Sequence, residues 1–127
     1  MTKSFSRDTQ ILMRILQNQN NIKEAIRHFQ CNSTNLHENK MAFDLCALYM
    51  AQIGEDIKLL TDSTKQSFSY INTKELVYFR NMINHTYEKV DKVVLKAYIF
   101  NMIDKRTVTE VKERIKYCSN NVSDQQI

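Results

Sequence analysis

A chain of 127 residues with a single glycine and no proline has few ways to turn sharply. Glycine supplies left-handed backbone and proline a fixed φ, and tight turns draw on both. A sheet protein of this size needs many such turns, whereas helices joined by polar loops need few. The abundance of Leu, Ile, Met, Lys, Glu and Gln points the same way, because all of them sit comfortably in helices. At this length about two-thirds of the unfolded chain's surface is buried on folding, enough for one real core. The sequence therefore predicts one all-α domain over residues 1–127, with 119–127 as a flexible tail.

Apolar spacing divides the chain into about five helices. The first is expected over Asp8–Phe29, capped by Ser6, with Ile11, Leu12, Ile15, Leu16, Ile22, Ile26 and Phe29 on one stripe. Polar residues Gln17 to Asn21 interrupt that stripe and allow a bend there. Asn32 to Asn35 reads as a loop, and Asn35 with Glu38 three residues on resembles a capping box for a second helix reaching Leu60. Its stripe is Ala42, Leu45, Cys46, Tyr49, Ile53, Ile57 and Leu60. Gly54, alone of its kind, sits inside that helix at a cost of about 1 kcal/mol relative to Ala, which a close helix crossing would offset.

Thr61 to Asn72 reads as a polar connection with room for one helical turn. A third helix starts at Asn72, with Glu75 three residues later, and carries Leu76, Phe79 and Ile83. Asp91 is expected to cap a fourth, with Val94, Leu95, Tyr98 and Met102 facing inward. Thr107-Val108-Thr109-Glu110 is expected to cap a fifth, with Val111 and Ile115 in the core. An up-down helical bundle is the default architecture for such a series.

Charge and cysteine usage narrow the partners. The net charge of +4 suits a polyanion better than an acidic partner, yet the charges alternate in sign, as a solvated helix surface also requires. Cys31, Cys46 and Cys118 form no paired motif that would suggest zinc, so no metal and no cofactor are expected; Cys46 reads as a small buried hydrophobe. No apolar run marks the first residues or approaches the roughly 20 residues of a membrane span, which points to the cytoplasm with no membrane partner.

The chemistry concentrates in Arg80-Asn81-Met82-Ile83-Asn84-His85-Thr86-Tyr87. With Leu76 at zero and about 100° per residue, Ile83 and Tyr87 fall within roughly 20°, Arg80 near 40°, Asn84 near 80°, Asn81 near 140° and His85 near 180°. Arg80 thus borders the apolar stripe, and a polar arc of Asn84, Asn81 and His85 leads away from it. A guanidinium can grip a phosphodiester bidentately while an imidazole, with an unperturbed pKa of about 6.5, moves the proton of a ribose 2′-OH. The two diverge by about 140° on a straight helix. They share one phosphate if Arg80 reaches around, if the helix ends near His85, or if a second copy completes the site as a homodimer. The bland alternatives are that Arg80 pairs with a carboxylate such as Glu55 and that His85 is a surface residue. His28 and His37 read as surface residues, and Tyr49, Tyr70, Tyr78 and Tyr98 as core or interface rather than base-stacking platforms.

This octapeptide resembles the Arg-x-x-x-x-His-x-Tyr signature of HepT-like toxins in the HEPN superfamily. Asp8 to Ile15 is similar to that family's opening helix, Gln52-Ile53-Gly54-Glu55 with Lys58-Leu59-Leu60 to its Ile-Gly-Glu segment, and Tyr87 to Asp91 to the run after the His. The likeness extends over roughly Asp8 to Tyr117. Where family members commonly carry Pro-Trp before this helix the chain has Asn72-Thr73, and Tyr78 stands where Gly is frequent. The resemblance implies an all-helical homodimer whose two Arg-x4-His motifs line a cleft, acting as a metal-independent endoribonuclease on tRNA or mRNA. It implies a toxin of a type VII-like toxin–antitoxin pair, neutralised when a nucleotidyltransferase antitoxin transfers AMP to Tyr87. Arg80 and His85 would be catalytic, with Asn81, Asn84 and Glu55 in support. The alternative is a catalytically silent adaptor that uses the same helices to bind a nucleotidyltransferase or nucleotide.

Overall fold

A computed structural model describes the backbone of residues 2–85 and 91–125, and the side chains of 7–78, Asn81 and 91–120. Among the described residues every regular element is a helix. The order is α1 (Thr2–His28), a 3-10 turn (Leu36–Glu38), α2 (Lys40–Leu59), short α3 (Asp62–Lys65), a second 3-10 turn (Gln66–Phe68), α4 (Thr73–His85), α5 (Lys92–Met102) and α6 (Lys105–Gln125). The all-α bundle expected from composition and apolar spacing is what forms. None of these helices is long and apolar enough to cross a membrane.

α1 and α2 pack antiparallel. Asp8 meets Thr61 just past the end of α2, Arg14 meets Asp56 further along, and the Ile22 carbonyl meets Cys46 nearest the α2 start. α6 lies along the other side of α1, α4 covers α2, and α5 closes against α2 and α6. The core they enclose includes Leu12, Ile15, Ile22, Phe43, Met50, Ile53, Ile57, Phe68, Leu76, Leu95 and Ile99. Cys46 and Cys118 are buried within it; loss of solvation pushes the Cys46 thiol up to about 12 and raises that of Cys118.

Several boundaries differ from expectation for identifiable reasons. α1 begins at Thr2, so Ser6 lies inside it and not at its start. It runs unbroken through Gln17–Asn21, because Gln19 is buried and its amide donates to the Met102 carbonyl at 2.8 Å. α1 ends in a Schellman arrangement: the Cys31 amide reaches the Ile26 carbonyl, the Gln30 amide reaches Arg27, and Gln30 has φ 55°.

The cap of α2 is Asn39, whose side chain accepts from the Ala42 amide at 3.0 Å. Asn35 instead closes the preceding loop, accepting from the Asn32 amide, and the 3-10 turn then buries Leu36. Asp104 replaces Thr107 as the cap of α6, accepting from the Thr107 amide at 2.7 Å, while Thr107 itself is buried. α6 continues through Gln125, across most of the expected tail. Asp91 caps α5 as expected, but the inner face is Leu95, Ile99 and Met102, with Val94 exposed and Tyr98 half-buried. The segment after α2 does hold the expected single helical turn, α3.

Candidate functional site

α4 carries the octapeptide, and its position is fixed from two ends. At its start the Asn72 side chain accepts from the Glu75 amide at 3.1 Å. One turn on, Leu76 is fully buried against Gly54 of α2; a Cβ built on Gly54 would lie 3.0 Å from Leu76 Cβ. This is the close crossing that the lone glycine implied. Burying a Leu there contributes roughly 1.5–3 kcal/mol and sets the rotation of α4 about its own axis.

That rotation decides which positions face outward. Tyr78 and Asn81, at about 200° and 140° from Leu76, are both exposed, Tyr78 to 57%. The His85 position, near 180°, falls between them on the same outward face. The Arg80 position falls near 40°, beside the packed stripe. α4 is helical as far as His85, so the two positions diverge by about 140° within one chain. The side chains of Arg80, Asn84 and His85, and the whole of Tyr87, lie outside the described residues.

Glu55, expected near Arg80, is half-buried on α2 and lies 3.9 Å from Lys58 of the same helix. The carboxylate buried at that level is its neighbour Asp56, which accepts from Arg14 at 2.9 Å and from Gln52 at 3.4 Å. The Asp56 hydrogen bond, then its charge, raise the Arg14 pKa. Asp8 is buried too, accepting from the Thr61 amide at 3.0 Å, the Thr61 hydroxyl at 2.6 Å and the Thr64 hydroxyl at 2.7 Å. Neither buried carboxylate was singled out from the sequence. The signal was available for Asp8, which falls three, four and seven residues before Ile11, Leu12 and Ile15 on one stripe.

His28 is exposed, as expected, whereas His37 is half-buried with Nδ1 3.3 Å from Lys96 Nζ. The tyrosines divide: Tyr49 and Tyr98 are half-buried, but Tyr70 and Tyr78 are exposed and so are not core residues. Arg106 of α6 lies over the Tyr70 ring, its guanidinium carbon 3.9 Å from the centroid. The Tyr70 hydroxyl donates to Thr107 at 3.2 Å, and the Tyr98 hydroxyl donates to Glu75 on α4. These groups frame a cleft of about 210 Å³ where the α5–α6 junction meets the residues leading into α4.

An outward helical face holding the positions of an amide and an imidazole, with a guanidinium position at its margin, can serve a phosphodiester. On that helix the cation and the imidazole meet at one phosphate if Arg80 reaches around or if a second copy completes the site. No curated protein and no solved structure matches the chain. A family model described as ribonuclease HepT-like matches residues 15–117, which takes in α2 to α5 whole together with the second half of α1 and much of α6. The chain belongs to the ribonuclease HepT-like family.

Proposed function

We infer that this protein is a metal-independent endoribonuclease, the toxin of a toxin–antitoxin pair, active as a homodimer. The observation that carries this reading is the family match over residues 15–117, within which α4 sets the His85 position on the same outward face as exposed Tyr78 and Asn81. His85 takes the proton of the ribose 2′-OH. That oxygen bonds to the adjacent phosphorus as the bond to the 5′-oxygen breaks, leaving a cyclic phosphate. The departing 5′-oxygen receives a proton from the partner subunit's His85. Arg80 grips two phosphate oxygens and stabilises the added negative charge of the transition state. Asn81 and Asn84 donate to phosphate or orient the imidazole, and Glu55 supports the Arg80 side. DNA, lacking the nucleophile, is refused.

AMP transfer to Tyr87 by a cognate nucleotidyltransferase silences the site. The added phosphate brings bulk and negative charge near Arg80 and His85, engaging the cation and repelling RNA. The test gives the protein and its His85→Ala variant tRNA and mRNA in the presence of EDTA. Cleavage that survives chelation and disappears in the variant is expected. Absence of cleavage by either protein would replace the nuclease with the silent adaptor.

A further inference from the structure

The cleft between Tyr70, Tyr98 and Arg106 has no part in the chemistry above, yet its walls are prepared for a flat ring. The Tyr70 ring is held by its hydroxyl bond to buried Thr107, and Tyr98 by its bond to Glu75. Arg106 lies over Tyr70, its guanidinium carbon 3.9 Å from the ring centroid, and lines the cleft as well. Asn101 and Asp104 supply polar groups on the same walls. At about 210 Å³ the space falls below the roughly 300 Å³ at which pockets for drug-sized ligands begin, so it suits one ring system and not a whole nucleotide. Ordered aromatic rings and an arginine plane are what proteins use to hold unpaired bases.

Charge decides which part of a nucleotide enters. The Asp104 carboxylate on the cleft wall, with Glu75 on the Tyr98 hydroxyl, disfavours a phosphate inside, while exposed Lys74 and Lys105, within two residues of wall residues Asn72 and Asp104, favour phosphates passing outside. Position ties the cleft to α4. Glu75, which holds Tyr98, precedes His85 by ten residues, or about 15 Å of helix. The two positions lie roughly 80° apart around α4, with exposed Tyr78 between them in both senses. At about 3.4 Å per stacked nucleotide that span is roughly four nucleotides.

We propose that this cleft is a subsite for one unpaired base of a single-stranded RNA, roughly four nucleotides from the bond opposite His85. It rests on the ribonuclease reading for its ligand, but not for its test. Binding is measured by fluorescence anisotropy with 2′-O-methyl RNA, which has no free 2′-OH and is not cut, as a 12-nucleotide strand and as a 3-nucleotide strand. Arg106→Ala is expected to weaken the longer strand about tenfold, the size of one lost base stack, and to leave the shorter one unchanged. Arg106→Lys keeps the charge and loses the plane, and is expected to bind as weakly as Arg106→Ala. Removing bases one at a time from the longer strand is expected to expose one position that matters for the parent protein and not for Arg106→Ala.

Equal binding by parent and Arg106→Ala, full rescue by Arg106→Lys, or no base position coupled to Arg106 would each overturn the subsite. A strand that binds through the cleft but whose unmodified form is never cut would overturn the nuclease and leave the subsite standing. Cutting without any dependence on Arg106 would do the reverse. Unchanged melting temperatures keep both variants interpretable, and Asn101→Ala, expected to weaken only the longer strand, is a second variant on the same wall.

Discussion

Gln30 shows how a single residue carries a cost that its surroundings impose. The bonds that close α1 place it at φ 55°, where an L side chain is strained by roughly 1–2 kcal/mol and glycine is not. The chain's single glycine is committed elsewhere, at Gly54, where Leu76 leaves no room for a side chain. Gln30→Gly is therefore expected to stabilise the fold by about 1 kcal/mol, because relief of the strain outweighs the extra entropy of an unfolded glycine. Urea denaturation checks it through a higher midpoint at unchanged slope. The need for a positive φ at Gln30 was not legible in the sequence: neither of the residues that favour it, Gly or Asn, stands there. The crossing at Gly54 was legible, since a glycine inside a helix needs a packing reason.

At the scale of elements, stripes were readable and ends were not. The face of α1 was foreseen from Ile11, Leu12, Ile15 and Ile22, because a helix packed along much of its length keeps one register. Caps failed where capping residues crowd together. Asn32, Ser33, Thr34, Asn35 and Asn39 all qualify on local chemistry, and only the burial of Leu36 in a 3-10 turn makes Asn39 the one used. The face of α5 was misjudged by about one residue because that helix touches α2 and α6 together, so Ile99 goes inward and Val94 outward. The join between elements rests on Asp8, which ties α1 to the turn leading into α3 through three hydrogen bonds. Asp8→Ala strands the Thr61 amide at the edge of the core and leaves the Thr61 and Thr64 hydroxyls, 3.3 Å apart, with only each other and the Cys118 sulfur. It is expected to cost about 3 kcal/mol, within the range for leaving such groups unsatisfied, and to lower the denaturation midpoint accordingly. A change no larger than that of an exposed substitution would mean that water takes over the role of the carboxylate.

For the whole molecule the decisive property is the number of copies that build one active site. Arg80 and His85 were readable as candidate reacting groups, whereas their convergence was not, because one straight helix holds their positions about 140° apart. If the partner subunit's His85 delivers the second proton, a dimer with one His85→Ala subunit is as inert as one with two. Mixing parent and variant in equal amounts, with time for subunits to exchange, is then expected to leave about a quarter of the parent's activity per total dimer, since random pairing leaves only that share of dimers intact. Independent subunits would retain about half under the same pairing. Cleavage rates measured before and after exchange separate the two cases, and a value near half would mean that one His85 suffices at each site, whichever subunit supplies the Arg80 beside it. Such a value would require a single His85 to serve as base and then as acid, so delivery of the second proton by the partner subunit's His85 would have to be given up while the ribonuclease itself remained.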